Sequence, residues 1–204
     1  MVNYGIPIAC TFASVIQTEV TPFIKFYIKK NKTAMEFSIK SLSLFAATVL
    51  VGLSAGLFYA WLVSVIPGTR KIADMTYLET MQSINREIHN PAFYLIFMGS
   101  LIMMAISTIQ QYGSGISFWI LVAATLVYLV GTFGITIIGN VPLNDTLEAL
   151  NLSELSDVEI INFRKTYEKK WNRWHWFRTI FSVISFILMI LGVFTYSKSI
   201  FNNL

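Results

Sequence analysis

The residues best equipped for chemistry lie in the segment WNRWHWFRT, residues 171–179. On an α-helix Trp171, Trp174, His175 and Arg178 follow one another at steps of three, one and three, so they share a face. That face offers a proton acceptor, a permanent cation and two wide aromatic rings. A second segment, TIIGNVPLNDTL at 136–147, sets two amides, Asn140 and Asn144, around Pro142. A third, REIHNP, brings Arg86, Glu87 and His89. Plainer roles compete with each. Trp61, Trp171, Trp174 and Trp176 suit an aromatic belt at a membrane interface, Arg178 can snorkel to phosphate, and Asn140 can tie one helix to another. His175 and His89 can be ordinary hydrogen-bonded histidines.

Metal and phosphate chemistry find little footing. The single cysteine, Cys10, excludes a cysteine zinc site and an intrachain disulfide framework. No HxxxH, HExxH or CxxC spacing occurs, and no glycine-rich loop follows a strand. Two histidines could ligate a haem from opposite faces, although their spacing does not demand it. The expectation is therefore a site without cofactor or metal.

The elements that must hold these residues are membrane helices. Of 204 residues 55% are hydrophobic and only 13% are charged, against about 25% charged in soluble domains. The basic residues flank apolar segments instead of forming a nucleic-acid surface, so the expected partner is a lipid bilayer and no nucleic acid. Two long stretches, 42–66 and 90–144, carry no charge. The second is too long for one crossing, and QQYGSG at 110–115 divides it at a glycine-rich turn. Four spans result, at about 42–66, 91–109, 116–138 and 179–197, all helical because lipid cannot satisfy an open backbone. The fold class is an all-α polytopic bundle of four transmembrane helices within residues 35–204. Residues 1–34 read as an N-terminal extension that fits this pattern poorly.

Local signals refine the plan. Asn90 before Pro91 predicts a capped helix start, and Thr76 with Glu79, like Ser156 with Glu159, has capping-box spacing. A short interfacial helix over 76–89 and a helix from Asp157 running into the fourth span follow. Pro142 should end the third span near Asn140. Gly52, Gly56 and Ala60 form a small-residue stripe, suited to packing inside the bundle or to a homodimer. No charge lies inside the spans and no inverted repeat appears, which argues against a pump or a secondary transporter.

With four spans, the loops 67–90 and 139–178 share one side, so both histidines, both asparagines and the tryptophan-rich helix gather at one rim. That side also carries Arg70, Lys71, Arg86, Arg164, Lys165, Lys169, Lys170, Arg173 and Arg178, against Lys40 and Lys198 on the other when residues 1–34 are set aside. The positive-inside rule then makes the loops cytoplasmic in a plasma (inner) membrane.

GLSAGLFYAW followed by Pro67, then GNVPLN, then WNRWHWFRT, resembles the anthrone-oxygenase-like family of small four-helix membrane proteins, over residues 45–191. The resemblance implies oxidation of anthrones to anthraquinones by molecular oxygen, with neither metal nor organic cofactor. Such a reaction needs a base, a stabiliser for the enolate and a water-poor pocket. Chemistry then suggests His175 as base, Asn140 with Arg178 at the enolate oxygen, Asn144 as a positioning group, and Trp171 and Trp174 stacking on a flat apolar aromatic small molecule. The competing classes are a non-enzymatic membrane protein that packs with a partner or itself, and the two-histidine haem protein.

Overall fold

The computed structural model describes residues 21–201. The chain divides into two units, Met1–Leu42 and Ser43–Leu204. Residues 1–20 of the N-terminal extension lie outside the described part, and the helix α1 (Thr21–Ala60) begins within the first unit. The site belongs to the second.

Among the described residues every regular element is helical. After α1 come α2 (Ile66–Thr69), α3 (Asp74–Glu87), α4 (Pro91–Gln110), α5 (Ile116–Val127), α6 (Val141–Glu148) and α7 (Asp157–Phe201). Four stretches are long and apolar enough to cross a membrane: Ile39–Thr69, Pro91–Gln110, Ile116–Glu148 and Asp157–Lys198. The chain is thus a four-span helical membrane protein. The 42 residues of the last stretch reach roughly 60 Å at about 1.5 Å per residue, about twice the hydrocarbon thickness.

Several ends form as their residues dictate. Asn90 caps α4, its Oδ1 accepting from Phe93 N at 2.9 Å. The turn before α5 uses Gly113 and Gly115 at φ of 83° and 65°, where a side chain would be strained. Ser156 and Glu159 close their box reciprocally, Ser156 N donating to Glu159 Oε2 at 2.8 Å and Glu159 N to Ser156 Oγ at 3.4 Å.

Two expectations are corrected. Thr76 does not cap its helix: α3 starts two residues earlier, at Asp74. Arg164 fixes that start, donating to Asp74 Oδ1 at 2.9 Å and to the carbonyls of Ile72, Thr69 and Arg70 at 2.7, 3.2 and 3.3 Å. Pro142 does not end the third span either. The chain passes through π-helical turns at Tyr128–Gly134 and Thr136–Asn140 straight into α6, with Val141 N bonding Thr136 O. The π ladder pairs residues five apart and shifts the preceding carbonyls, so the helix accommodates a ring that would clash in an α-turn.

The second unit has two apolar cores. In the bundle Val51, Met104, Leu121, Ala124, Tyr128 and Met189 pack together. Tyr128 buries its hydroxyl by accepting from or donating to Ser54 at 2.8 Å and bonding Phe97 O at 3.0 Å. Gly52 takes part here, since a Cβ on it would sit 2.9 Å from the Phe186 ring, whereas Gly56 faces open space. The other core is a cap in which Tyr77, Leu78 and Met81 of α3 meet Leu147, Leu152, Ile160, Tyr167 and Trp171. Gln82 pins α3 to the end of α6, donating to Leu147 O and Leu150 O at 2.9 and 3.1 Å. Arg164 lies over the Tyr77 ring, 4.5 Å from its centre, and burial, reinforced by Glu168, holds that phenol well above its ordinary pKa.

Candidate functional site

A cavity of about 120 Å³ opens where the cap meets the bundle. Phe58 and Trp61 from the first span, Ile84, Asn85, Ile88 and His89 from α3 and its exit, Phe93 from α4, Thr136, Val141, Asn144 and Asp145 from the third span, and Trp171, His175 and Arg178 from α7 line it. Phe58, Trp61, Phe93 and Trp171 give the wall four aromatic rings besides the imidazoles. Trp171 stacks on His175 at 5.1 Å and 7°, Trp61 leans on both, and Phe58 meets the imidazole edge-on at 6.0 Å.

His175 is fully buried, and its partners fix its tautomer. Arg178 Nε and Nη2 lie 3.0 and 2.9 Å from Nδ1. A guanidinium only donates, so Nδ1 presents its lone pair. Nε2 lies 3.0 Å from Phe58 O, which only accepts, so Nε2 carries the hydrogen. Thr179 Oγ1 sits 3.4 Å from the same nitrogen and bonds His175 O at 2.7 Å. Phe58 offers its carbonyl from the turn just before another π-helical stretch, Trp61–Val65.

Arg178 is the unusual member. It is 8% exposed, and among the described residues no carboxylate lies within ion-pair distance of it. Both of its hydrogen bonds end on one neutral nitrogen. Its guanidinium carbon stands 4.7 Å from the Phe58 ring centre and 5.2 Å from that of Trp171, and these two cation–π contacts supply what a counter-ion would. Asp145 lines the same cavity yet pairs with nothing by charge among the described residues. The arrangement is a desolvated cation held between two aromatic rings.

The residues singled out in the sequence divide in two. His175, Arg178, Trp171 and Asn144 come together at the cavity. Asn144 Oδ1 accepts from Trp171 Nε1 at 2.8 Å and from Tyr167 at 3.4 Å, so its amide nitrogen is the group left to face a ligand. Asn140 and Trp174 stand outside the lining. Asn140 is fully buried and its Nδ2 donates to Trp171 O at 3.2 Å, while its Oδ1 has no partner among the described residues. This is a clasp between the third span and α7. Trp174 lies over Gly139, where a Cβ would come 2.5 Å from the indole.

Other cavity residues were not legible. Phe58 contributes through a backbone atom, which no side-chain pattern encodes. Asn85 is buried with its Nδ2 unpartnered among the described residues; a lone amide on an amphipathic helix was the only available hint. Trp61, expected at the lipid belt, turns inward, whereas Trp176 is 49% exposed and suits that belt. His89 reaches the rim and bonds Tyr94 at 2.7 Å. In this arrangement both ring nitrogens of His175 are engaged by protein groups.

The family model for anthrone oxygenase matches residues 84–188, just over half of the chain, taking in Asn85, His89, Asn144, Trp171, His175 and Arg178. No curated protein and no solved structure matches the chain. With that match across the cap, the third span and much of α7, the chain belongs to the anthrone oxygenase family.

Proposed function

We propose that this protein is a cofactor-independent oxygenase that acts at the membrane interface on a flat apolar aromatic of the anthrone type. The observation that carries this reading is Arg178, a buried guanidinium without a carboxylate, set between two aromatic rings at a cavity. An enolate forming on a ring there would meet a preorganised cation at a buried position, where electrostatic stabilisation is stronger than in open water. His175, beside it, takes the proton; Trp171 and Trp61 bound the ring; Asn144 orients it. At about 120 Å³ the cavity is somewhat smaller than the engineered cavity of about 150 Å³ that holds one benzene, so part of one ring is the most it encloses and the remainder of a tricyclic substrate extends beyond it. Family membership and the lined cavity favour this over a purely structural membrane protein, whose interior side chains would fill the space.

In this reading the substrate reaches the site from the lipid, and the long loops face the cytoplasm of a plasma (inner) membrane, as the excess of Lys and Arg on the loop side supports. The test is oxygen consumption with anthrone by purified protein in detergent, together with the appearance of anthraquinone absorbance. The rate above protein-free autoxidation should fall about 100-fold or more in Arg178→Met, the scale set by removing one oxyanion donor. An unchanged rate in Arg178→Met, or none above autoxidation in the native protein, would remove the proposal.

A further inference from the structure

We infer that Arg178 latches His175 shut through its two hydrogen bonds to Nδ1, and that a ring-borne anionic oxygen opens the latch by drawing the guanidinium to itself. The inference deepens the oxygenase reading and relies on it only for the proton step. Three observations carry it. First, His175 cannot act as a base as it stands: Nε2–H is given to Phe58 O, and the lone pair on Nδ1 receives two donors from Arg178. Second, a guanidinium fork matches two acceptor atoms of an anion, yet here both donors converge on one neutral nitrogen, a poor use of its geometry. Third, the cavity's own carboxylate, Asp145, does not take the cation up.

An oxyanion brings a full opposite charge and two acceptor sites that fit the guanidinium fork, which a single neutral imidazole nitrogen lacks, so an oxyanion entering the cavity outcompetes the imidazole for Arg178. The two residues are one turn apart on α7, and the exchange needs only side-chain rotation. In the oxygenase reading the substrate's carbonyl oxygen offers the guanidinium an acceptor, and Arg178 swings to it as negative charge gathers there. In the same step a C–H bond of the methylene across the central ring breaks, its electron pair is delocalised through the fused rings onto that oxygen as the enolate, and the proton goes to Nδ1 as Arg178 leaves it. The enolate carbon adds molecular oxygen, the peroxide anion so formed takes the proton back from His175, and the hydroperoxide loses water to leave a second ring carbonyl. One oxygen atom stays on the ring and the other leaves as water. The latch would keep the base masked until an acceptor for the cation is in place.

The chain has two histidines, which makes the test direct. Histidine-¹⁵N protein in micelles is titrated with benzoate, and separately with benzamide, its neutral isostere. Benzoate should bind at least tenfold more tightly and move the His175 Nδ1 resonance toward that of a free imidazole acceptor, leaving His89 in place. Arg178→Gln should abolish the preference; the native titration decides the matter even if that variant fails to fold. Benzoate binding with an unmoved Nδ1 resonance, equal binding of benzamide, or no benzoate binding would each overturn the latch. Anthrone turnover separates the two ideas. Benzoate-driven release without turnover would sink the oxygenase reading alone, and turnover without release would sink the latch alone.

Discussion

Replacing Arg178 by methionine should leave the fold nearly as stable as before while removing its function. Taking a cation out of water costs several kcal/mol after relaxation. Against this, the two cation–π contacts at 4.7 and 5.2 Å return about 2 kcal/mol each when desolvated, and the shared bond to His175 returns about 1.5–3 kcal/mol as a hydrogen bond to a charged group. The terms nearly cancel. Methionine keeps the apolar stem and its packing, and so loses little there. The freed Nδ1 faces a cavity roomy enough for water, which limits the cost of orphaning it to the low end of about 1–3 kcal/mol. The expected net change is within about 2 kcal/mol, or some 4–8 °C in Tm for a chain of this size, and a rise is as consistent with the reasoning as a small fall. The assay is thermal unfolding in detergent followed by helical circular dichroism, beside benzoate binding and anthrone-dependent oxygen uptake on the same sample. Arg178→Ala, which also removes the stem, should melt lower than Arg178→Met. A fall beyond about 15 °C in Arg178→Met would show that the cation holds the bundle together, and the view of it as a group kept for a ligand would fail.

Arg164 should behave oppositely, because its charge is matched: Arg164→Ala strips the Asp74 pair and three backbone carbonyls at once, and should cost about 3–5 kcal/mol, read as early proteolysis or hydrogen exchange of α3. The glycines give a pair of opposite signs. Gly131→Ala forces a Cβ to within 2.2 Å of the Phe181 ring and should destabilise by about 1–3 kcal/mol, whereas Gly56→Ala meets nothing within 4 Å and should gain up to about 1 kcal/mol of helix propensity. A loss of stability in Gly56→Ala, accompanied by loss of a cross-linked dimer, would mean that a second copy sits on the stripe of Gly52, Gly56 and Ala60.

The sequence made the spans, the turn at Gly113 and Gly115, the cap at Asn90 and the gathering of His175, Arg178, Trp171 and Asn144 legible, because charge exclusion, capping chemistry and helical spacing are local properties. What it hid is tertiary. Asn140 was as good a ligand candidate as Asn144, four residues on; which amide faced the cavity and which clasped Trp171 O depended on how the helix between them is wound. Trp61 and Trp176 are chemically alike, yet one turns into the site and the other outward, a difference set by neighbours far away in the chain. His175 could be recognised as a potential base, but no pattern of residues reveals that its Nδ1 lone pair is already committed to Arg178.

The winding itself points to where the fold is shaped around the site. An α-ladder is the better hydrogen-bonding arrangement for a membrane helix, and short π-turns interrupt it at a cost, most often where function requires a displaced backbone. The described π-turns lie at Trp61–Val65, Tyr128–Gly134 and Thr136–Asn140. They begin beside Phe58, whose carbonyl fixes the His175 tautomer, and run to the clasp at Asn140 and the entry into α6, which carries Asn144 and Asp145 to the cavity. Pro142 belongs to the same device. In a continuous α-helix it would have ended the span before Asn144 reached the cavity; joined to a π-turn it lets the helix continue, rotated, into the cap. Straightening that junction by removing the proline would tend to restore an α-register and rotate Asn144 away from Trp171 Nε1, so the proline serves less to stop a helix than to aim one.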